Sequence, residues 1–405
     1  MGRAEQGPRR APGASVVLRP GREKPLRQRH PWIFSGAIES VGRDLENGGV
    51  ADVTSASGEF VARGLLSLRS QIVVRILTFD RDESIDAAFW ERKLSRAFGA
   101  RKVRGAARSV NAESDGLPGL VVDRYGDFLV LSSSIAGVDR HKADIVTALE
   151  RVASPRGIYE RSDVDGRDKE GLAPVTGLLA GEEPPEFVEI EEPSHGASSV
   201  KVLVDVRHGH KTGTYLDQAE NRVIVTRGAS GCDVLNVFSY TGGFALHAAR
   251  AGARRIVNVD SSARALELSE RIAAHNGFAG RFEHVKADAF EELRRLRETG
   301  QTFDLVVVDP PKLSRSAGHV ERAARAYKDL SRIAMHVTRP GGLLATFSCS
   351  GAVSTDLFQK IVWSASLEAR RDAQIVARMT QASDHPVLLT FPEGEYLKGL
   401  LCRIW

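Results

Sequence analysis

A thiol and a carboxylate in the second half of the chain stand where covalent chemistry would need them. Cys349 lies in Thr346-Phe347-Ser348-Cys349-Ser350-Gly351, directly after the apolar run GGLLATF. Asp309 closes the run FDLVVVD and opens Asp309-Pro310-Pro311-Lys312. Both runs read as strands, which places thiol and carboxylate at strand ends on one rim. A free cysteine is most often a small buried hydrophobe, and Cys232 and Cys402 fit that role. For Cys349 the shared rim favours a nucleophile facing a pyrimidine. Carbon 5 of that ring is not nucleophilic until something adds at carbon 6, and a thiolate adding there divides one hard step into easier ones. Asp309 would stabilise the adduct by hydrogen bonding or proton donation at ring nitrogen 3 and the exocyclic amine. Carbon 5 would then take a sulfonium methyl, and a base that no pattern names would remove the remaining proton before Cys349 leaves. The target base has to be unstacked for this. Lys312 or Arg315 could lower the thiol pKa or hold a phosphate, although solvated surface is an equal alternative.

The cofactor pattern also falls at strand ends. After VLNVFS come Tyr240-Thr241-Gly242-Gly243, whose glycines let backbone approach a ligand before a helix starting near Phe244. A tight strand-to-helix turn would account for the same residues. The next strand, RIVNVD, ends in Asp260, placed to accept from both ribose hydroxyls. A third ends in Lys286-Ala287-Asp288, where a carboxylate could read an adenine amine. A minimal dinucleotide fingerprint requires G-x-G-x-x-G and does not need acidic ends on the later strands, so the set points to S-adenosylmethionine. The residues expected at that cofactor are Phe238, Tyr240, Thr241, Gly242, Gly243, Asp260, Asp288 and Asp309. Asp217, Asp233 and Asp304 read as surface or capping residues.

Positioning these groups takes an alternation of short apolar runs and helical segments from Cys232 onward, which implies a parallel Rossmann-like sheet with right-handed crossovers. Ahead of it, SVVLRP, GVADVTS, EFVARGLLS and IVVRILTF, separated by Gly, Ser and Asn, predict a small β-barrel. Helical spacing follows in DESIDAAFWERKLSRAFGARKV, with Ile85, Phe89, Trp90, Leu94 and Phe98 on one face. Mixed strands and a helix over 141–152 predict an α+β module. The expected division is a disordered basic tail over 1–14, a β domain over 15–82, a central α+β domain over 83–205 and the catalytic domain over 206–405. At 405 residues two or three domains are expected. Three cysteines without a CxxC pair exclude a disulfide framework and a structural zinc, so no metal is expected. No run approaches a membrane span, and the N-terminus lacks the apolar core of a signal peptide, so a cytoplasmic protein is expected. A net charge of +4 hints at a polyanionic partner.

Taken together, the chain resembles the bacterial large-subunit ribosomal RNA methyltransferase I family of cytosine-5 methyltransferases over nearly its full length. The resemblance is carried by LRPGREKPLRQRHPWIFSGAI, ESDGLPGLVVDRYGD, KTGTYLDQAENR, LNVFSYTGGFALHAARAGA, DPPKLSRS, FSCSG and DHPVLLTFPEGEYLKGLLCRIW. It implies a PUA domain that binds structured RNA, then a linking α+β domain, then a class I methyltransferase domain. It also implies Cys349 as nucleophile, Asp309 as its acidic partner, and cofactor binding by the turn around Tyr240 to Gly243 with Asp260 and Asp288. Other RNA cytosine-5 methyltransferases carry a second cysteine in a Pro-Cys after the fourth strand; here Lys312 stands there, so the step that releases product differs. Arg22, Lys24, Arg27, Arg29 and His30 then read as an RNA surface beside Trp32 and Phe34. The alternative is a solvated basic loop with the aromatics turned inward. Ribosomal RNA is the expected partner, and a homodimer is an expectation that no motif carries. Two other functions compete: methylation of a different base atom, and a non-catalytic RNA-binding assembly factor.

Overall fold

A computed structural model describes residues 15–101, 105–313, 318 and 320–405. The expected tail over 1–14 and Arg315 lie outside the described residues. Two compact units account for the chain. One contains the described residues up to Val188 with Asp205–Thr214 and Pro386–Gly394; the other contains Glu189–Val204, Tyr215–His385 and Glu395–Trp405.

The first unit begins with six strands: β1 (Ser15–Leu18), β2 (Trp32–Phe34), β3 (Ile38–Val41), β4 (Val50–Thr54), β5 (Phe60–Leu66) and β6 (Ile72–Thr78). Their order is β2-β6-β5-β4-β1-β3, antiparallel except for the β1–β4 pair. The four expected strands are present. The two that periodicity missed, β2 and β3, have three and four residues, too few to display an alternation. Val16, Leu18, Val53, Ala62 and Val74 close one core.

The next five strands form a second sheet in the same unit: β7 (Ala106–Asn111), β8 (Leu120–Tyr125), β9 (Phe128–Ser133), β10 (Gly157–Ser162) and β11 (Val175–Gly181). The helix expected after the first sheet is α2 (Ala87–Gly99); α1 is the short turn Lys24–Arg27. Asp86 caps α2 by accepting from the Phe89 amide, so the helix starts later than Asp82 and Glu83 suggested. Phe89, Trp90 and Leu94 bury its apolar face. The helices α3 (Ala136–Arg140) and α4 (Lys142–Ala153) complete the layer.

The second unit is the Rossmann-like domain. A ribbon of β12 (Val188–Pro193) and β13 (Ser199–Val204) precedes α5 (Ala219–Thr226). Then come β14 (Asp233–Val237), α6 (Gly243–Arg250), β15 (Arg255–Asp260), α7 (Ala263–His275), β16 (Phe282–Lys286), α8 (Ala289–Glu298), β17 (Phe303–Val308), α9 (Val320–Val337), β18 (Thr338–Ser348), α10 (Thr355–Ala369), β19 (Ala373–Met379) and β20 (Lys398–Ile404). The sheet order is β16-β15-β14-β17-β18-β20-β19. The first five strands are parallel, whereas β20 runs antiparallel to both β18 and β19. The sequence led us to expect parallel strands throughout. The run GLLCRIW is instead an antiparallel insertion, and it pairs Lys398 with Ser348. Continuous apolar strands such as Leu305–Val308 are buried on both faces, as a helix-covered sheet requires.

The two aspartates at the lower end of this sheet correct a sequence expectation. Asp233 is buried and bonded to Arg254 and Arg339, and Arg339 also binds Asp304. They form one ion-pair network and are more than isolated surface or capping groups.

Candidate active site

The chain runs outward from β14 through β15 to β16 and then returns to lay β17 on the other side of β14, a reversal that opens a crevice at the carboxyl ends of the strands. Phe238 and Tyr240 follow β14 with φ of 60° and 49°, left-handed conformations that side chains other than glycine seldom adopt. Asp260 holds this turn: one carboxylate oxygen accepts from the Tyr240 amide at 2.8 Å and the other from Ser262 at 2.9 Å. A carboxylate has further lone pairs to offer a diol.

Gly242 and Gly243 are required by close packing as well as by conformation. Gly242 has φ of 79°, and a Cβ there would collide with Ser269 Oγ. A Cβ on Gly243 would meet Arg222 Nε at 2.6 Å. Asp288 is exposed at the end of β16 and caps α8, with one oxygen accepting from Phe290 and Glu291 amides. These groups fit S-adenosylmethionine: Asp260 and Asp288 stand at the ends of the adjacent strands β15 and β16, and the left-handed turn after β14 is tied to Asp260 by its backbone.

Asp309 and Cys349, the carboxylate and thiol expected to react, follow the next two strands, β17 and β18. Cys349 Sγ lies 4.0 Å from the Pro310 carbonyl oxygen, so the thiol abuts the Asp309-Pro310-Pro311-Lys312 turn. Cys349 is half-buried and flanked by fixed neighbours: Ser350 Oγ and the buried Tyr327 hydroxyl lie 3.0 Å apart, and the Ser350 carbonyl accepts from Lys398 Nζ at 2.8 Å. Asp309 Oδ2 accepts from Gln218 Nε2 at 2.9 Å. The Gln218 carbonyl oxygen in turn accepts from Asn221 at 2.7 Å, which fixes which end of the amide faces Asp309. Lys312 is exposed at the end of the turn.

Sequence reasoning passed over several of these residues. Tyr215 stacks edge-on against Tyr240, with ring centroids 5.5 Å apart. Burial, with the negative charge of Asp309, pushes its phenol above the usual range. Asp217, expected at the surface, is buried and accepts from the Tyr396 hydroxyl at 2.7 Å. The signal was KTGTYLDQAENR, which gave resemblance without chemistry because its residues lie in a turn and not after a strand. Cys402 is buried in β20, its thiol pushed up to about 11 by burial.

Under the glycine turn, buried Arg222 donates to both oxygens of buried Glu192, at 2.5 and 2.7 Å, and to the Tyr215 carbonyl at 2.7 Å. Burial alone would raise the Glu192 carboxyl, but the Arg222 charge and hydrogen bonds, with His247 Nε2 3.6 Å away, outweigh it and hold the group at about 2. A folded-state value below the ordinary 4.5 gives stability that is complete above that pH and lost as pH falls towards 2. We expect Glu192→Gln to cost about 3 kcal/mol at pH 7, because it leaves a buried guanidinium without its counter-charge. Urea melts should show the gap to the parent protein narrowing below pH 4.5. A constant gap down to pH 3 would contradict the linkage.

The first unit carries a separate feature. A cleft of about 530 Å³ is lined by residues including Arg22, Leu26, His30, Trp32 and Phe34. Arg22, Lys24, Arg27 and Arg29 are all exposed beside it, and Phe34 is 47% exposed. Trp32 is half-buried, its indole N–H donating to Glu113 at 2.9 Å and its ring edge-on to Phe391 at 4.6 Å. Of the two aromatics expected here, Phe34 faces solvent and Trp32 forms part of the wall.

Comparison with known proteins finds two family models along the chain. Residues 16–79 match a PUA-like domain model and residues 178–390 an S-adenosylmethionine-dependent methyltransferase model. The chain is 48% identical over 398 residues to "Ribosomal RNA large subunit methyltransferase I" of Shewanella denitrificans, covering 96% of this chain and 99% of the relative. A namesake from Tolumonas auensis is 46% identical with the same coverage. Among solved structures, a Streptococcus mutans chain provisionally named a SAM-dependent methyltransferase superposes with a TM-score of 0.81, covering 96% of this chain and 100% of the other at 23% identity. The methyltransferase SMU.776, also provisionally named and complexed with SAH, gives 0.82 at the same identity and coverage. These two likenesses speak to the fold.

Proposed function

Because the chain belongs to the ribosomal RNA large subunit methyltransferase I family, with an S-adenosylmethionine-dependent methyltransferase domain behind a PUA-like one, we propose that it methylates carbon 5 of a cytosine in large-subunit ribosomal RNA through a covalent Cys349 adduct. The observation that carries the proposal is the approach of Cys349 Sγ to the Asp309 turn, 4.0 Å from the Pro310 carbonyl, on the rim where the cofactor residues also end. A thiol is superfluous for methylating an exocyclic nitrogen and indispensable for activating carbon 5.

S-adenosylmethionine supplies, when bound, an electrophilic methyl group. Asp260 and Asp288 would hold its ribose and adenine, and the Tyr240–Gly243 turn would provide the backbone wall. Cys349 adds to carbon 6, forming a C–S bond while the ring electron pair moves to carbon 5. Asp309 gives a proton to, or shares one with, ring nitrogen 3, so the ring does not carry the full negative charge. After methylation a base takes the carbon 5 proton, the electron pair left there expels the Cys349 thiolate, and the proton lent to ring nitrogen 3 returns to Asp309. In the first unit, Arg22, Lys24, Arg27 and Arg29 neutralise phosphates while Trp32 and Phe34 offer stacking faces, a pairing suited to RNA. Lys312, exposed beside the reactive turn, is placed to hold a phosphate of the target strand.

RNA carrying tritium at cytosine carbon 5 tests the reading. Methyl incorporation into large-subunit RNA should release one tritium into water per methyl transferred. Incorporation without release would assign the methyl to another atom.

A further inference from the structure

A buried ammonium group stands next to the nucleophile and has no part in the steps above. Lys398 is 4% exposed and begins β20, the strand that runs against the others. Parallel strands bring their last residues to the active rim. An antiparallel neighbour brings its first, and the register of Lys398 against Ser348 delivers Nζ to the Ser350 carbonyl, one residue beyond Cys349.

Burying a charge is costly without a counter-charge or water. Lys398 borders a cavity of about 90 Å³ lined also by Thr355, Thr380 and Glu395, room for a few water molecules at about 30 Å³ each. Among the described residues, the ionisable groups near Cys349 include Tyr215 before α5, Asp309 and Lys312 after β17, Tyr327 on α9, Glu395 before β20 and Lys398 at its start. Burial raises both phenols, so neither supplies a negative charge. The exposed Glu395 is drawn off towards Thr355, with a 3.3 Å hydrogen bond.

From this placement we propose that Lys398 is a positioning residue whose ammonium is the fixed counter-charge of the Cys349 thiolate. The proposal rests on Cys349 being the nucleophile. A cationic neighbour stabilises the ionised form of a thiol. Burial pulls the ammonium below its ordinary value, while Cys349 and Glu395 push it back up. A thiolate beside Lys398 therefore keeps the lysine charged, and the lysine keeps the thiol ionised.

The test is iodoacetamide alkylation of the full-length protein across pH, read peptide by peptide. In Lys398→Met, Cys349 should react at least about tenfold more slowly at pH 7, its titration midpoint having moved up by a unit or more. Glu395→Gln should act with the opposite sign, making Cys349 about twofold faster. Cys232, before β14, is the internal reference and should react equally in all three proteins. Because Glu395 is exposed, its variant keeps the test decisive if Lys398→Met fails to fold. A parallel trap with RNA containing 5-fluorocytidine reports on the nucleophile itself. An adduct at Cys349 with unchanged alkylation in both variants overturns the role of Lys398 and leaves covalent catalysis standing. No adduct in the parent protein overturns the nucleophile, whatever the alkylation rates show.

Discussion

Replacing Cys349 with alanine should reduce methyl transfer by about 10⁴-fold or more, because the substitution removes the group proposed to activate carbon 5. The size follows from the chemistry. Without addition at carbon 6 the ring carbon has no electron pair to offer, and the residual binding and positioning have nothing to act on. The fold should survive. Cys349 is half-buried at a strand end, and its Sγ makes a 4.0 Å contact with a backbone carbonyl, so the stability cost stays within about 1 kcal/mol. Calorimetry with S-adenosylmethionine should give unchanged affinity, since Asp260 and the Tyr240–Gly243 turn are untouched. The trap with 5-fluorocytidine RNA should yield no cross-linked species. Near-parental activity in this variant would remove covalent catalysis and favour an exocyclic nitrogen as acceptor, with the Asp309 turn receiving the amine.

Strand ends explain what could be read from the sequence and what could not. Tyr240–Gly243, Asp260, Asp288, Asp309 and Cys349 each follow an apolar run, and a parallel sheet carries all such positions to one rim. Their convergence was legible because the fold class fixes it. Lys398 was hidden for the same reason: in an antiparallel strand the rim residue precedes the apolar run, and GLLCRIW showed no sign of its direction. Tyr215, Gln218 and Asn221 lie on a turn and the first helical residues after it, where no periodicity exists and only three-dimensional packing gives them a role. Glu192 and Arg222 are 30 residues apart in sequence, and no sequence pattern links them; only burial pairs them. In the first unit the basic cluster was readable from composition. Trp32 and Phe34, two residues apart on one face of a three-residue strand, both line the cleft. The packing of Glu113 and Phe391 against Trp32, which leaves Phe34 the more exposed, was not readable there.

Asp309→Asn should lower kcat by about 10²- to 10⁴-fold while KM for RNA changes by only a few fold. The reason lies in how the carboxylate is held. Asn221 donates to Gln218 and to the Thr380 carbonyl, which orients the Gln218 amide so that its N–H meets Asp309 Oδ2. An asparagine can satisfy that donor with its carbonyl oxygen and turn its NH₂ towards the base. It can still donate a hydrogen bond to ring nitrogen 3, so the cytosine should bind. It cannot transfer a proton there, so the charge released by thiolate addition stays on the ring and the adduct becomes too unstable to accumulate. Asp309→Ala should be worse in a different way, because it also leaves the Gln218 amide without its partner, and loss of affinity should accompany loss of rate. The contrast between the two variants separates proton transfer from positioning. Single-turnover methylation resolves it: Asp309→Asn with parental rate would show that a hydrogen bond suffices, and the acid would have to be sought among the other groups on the rim.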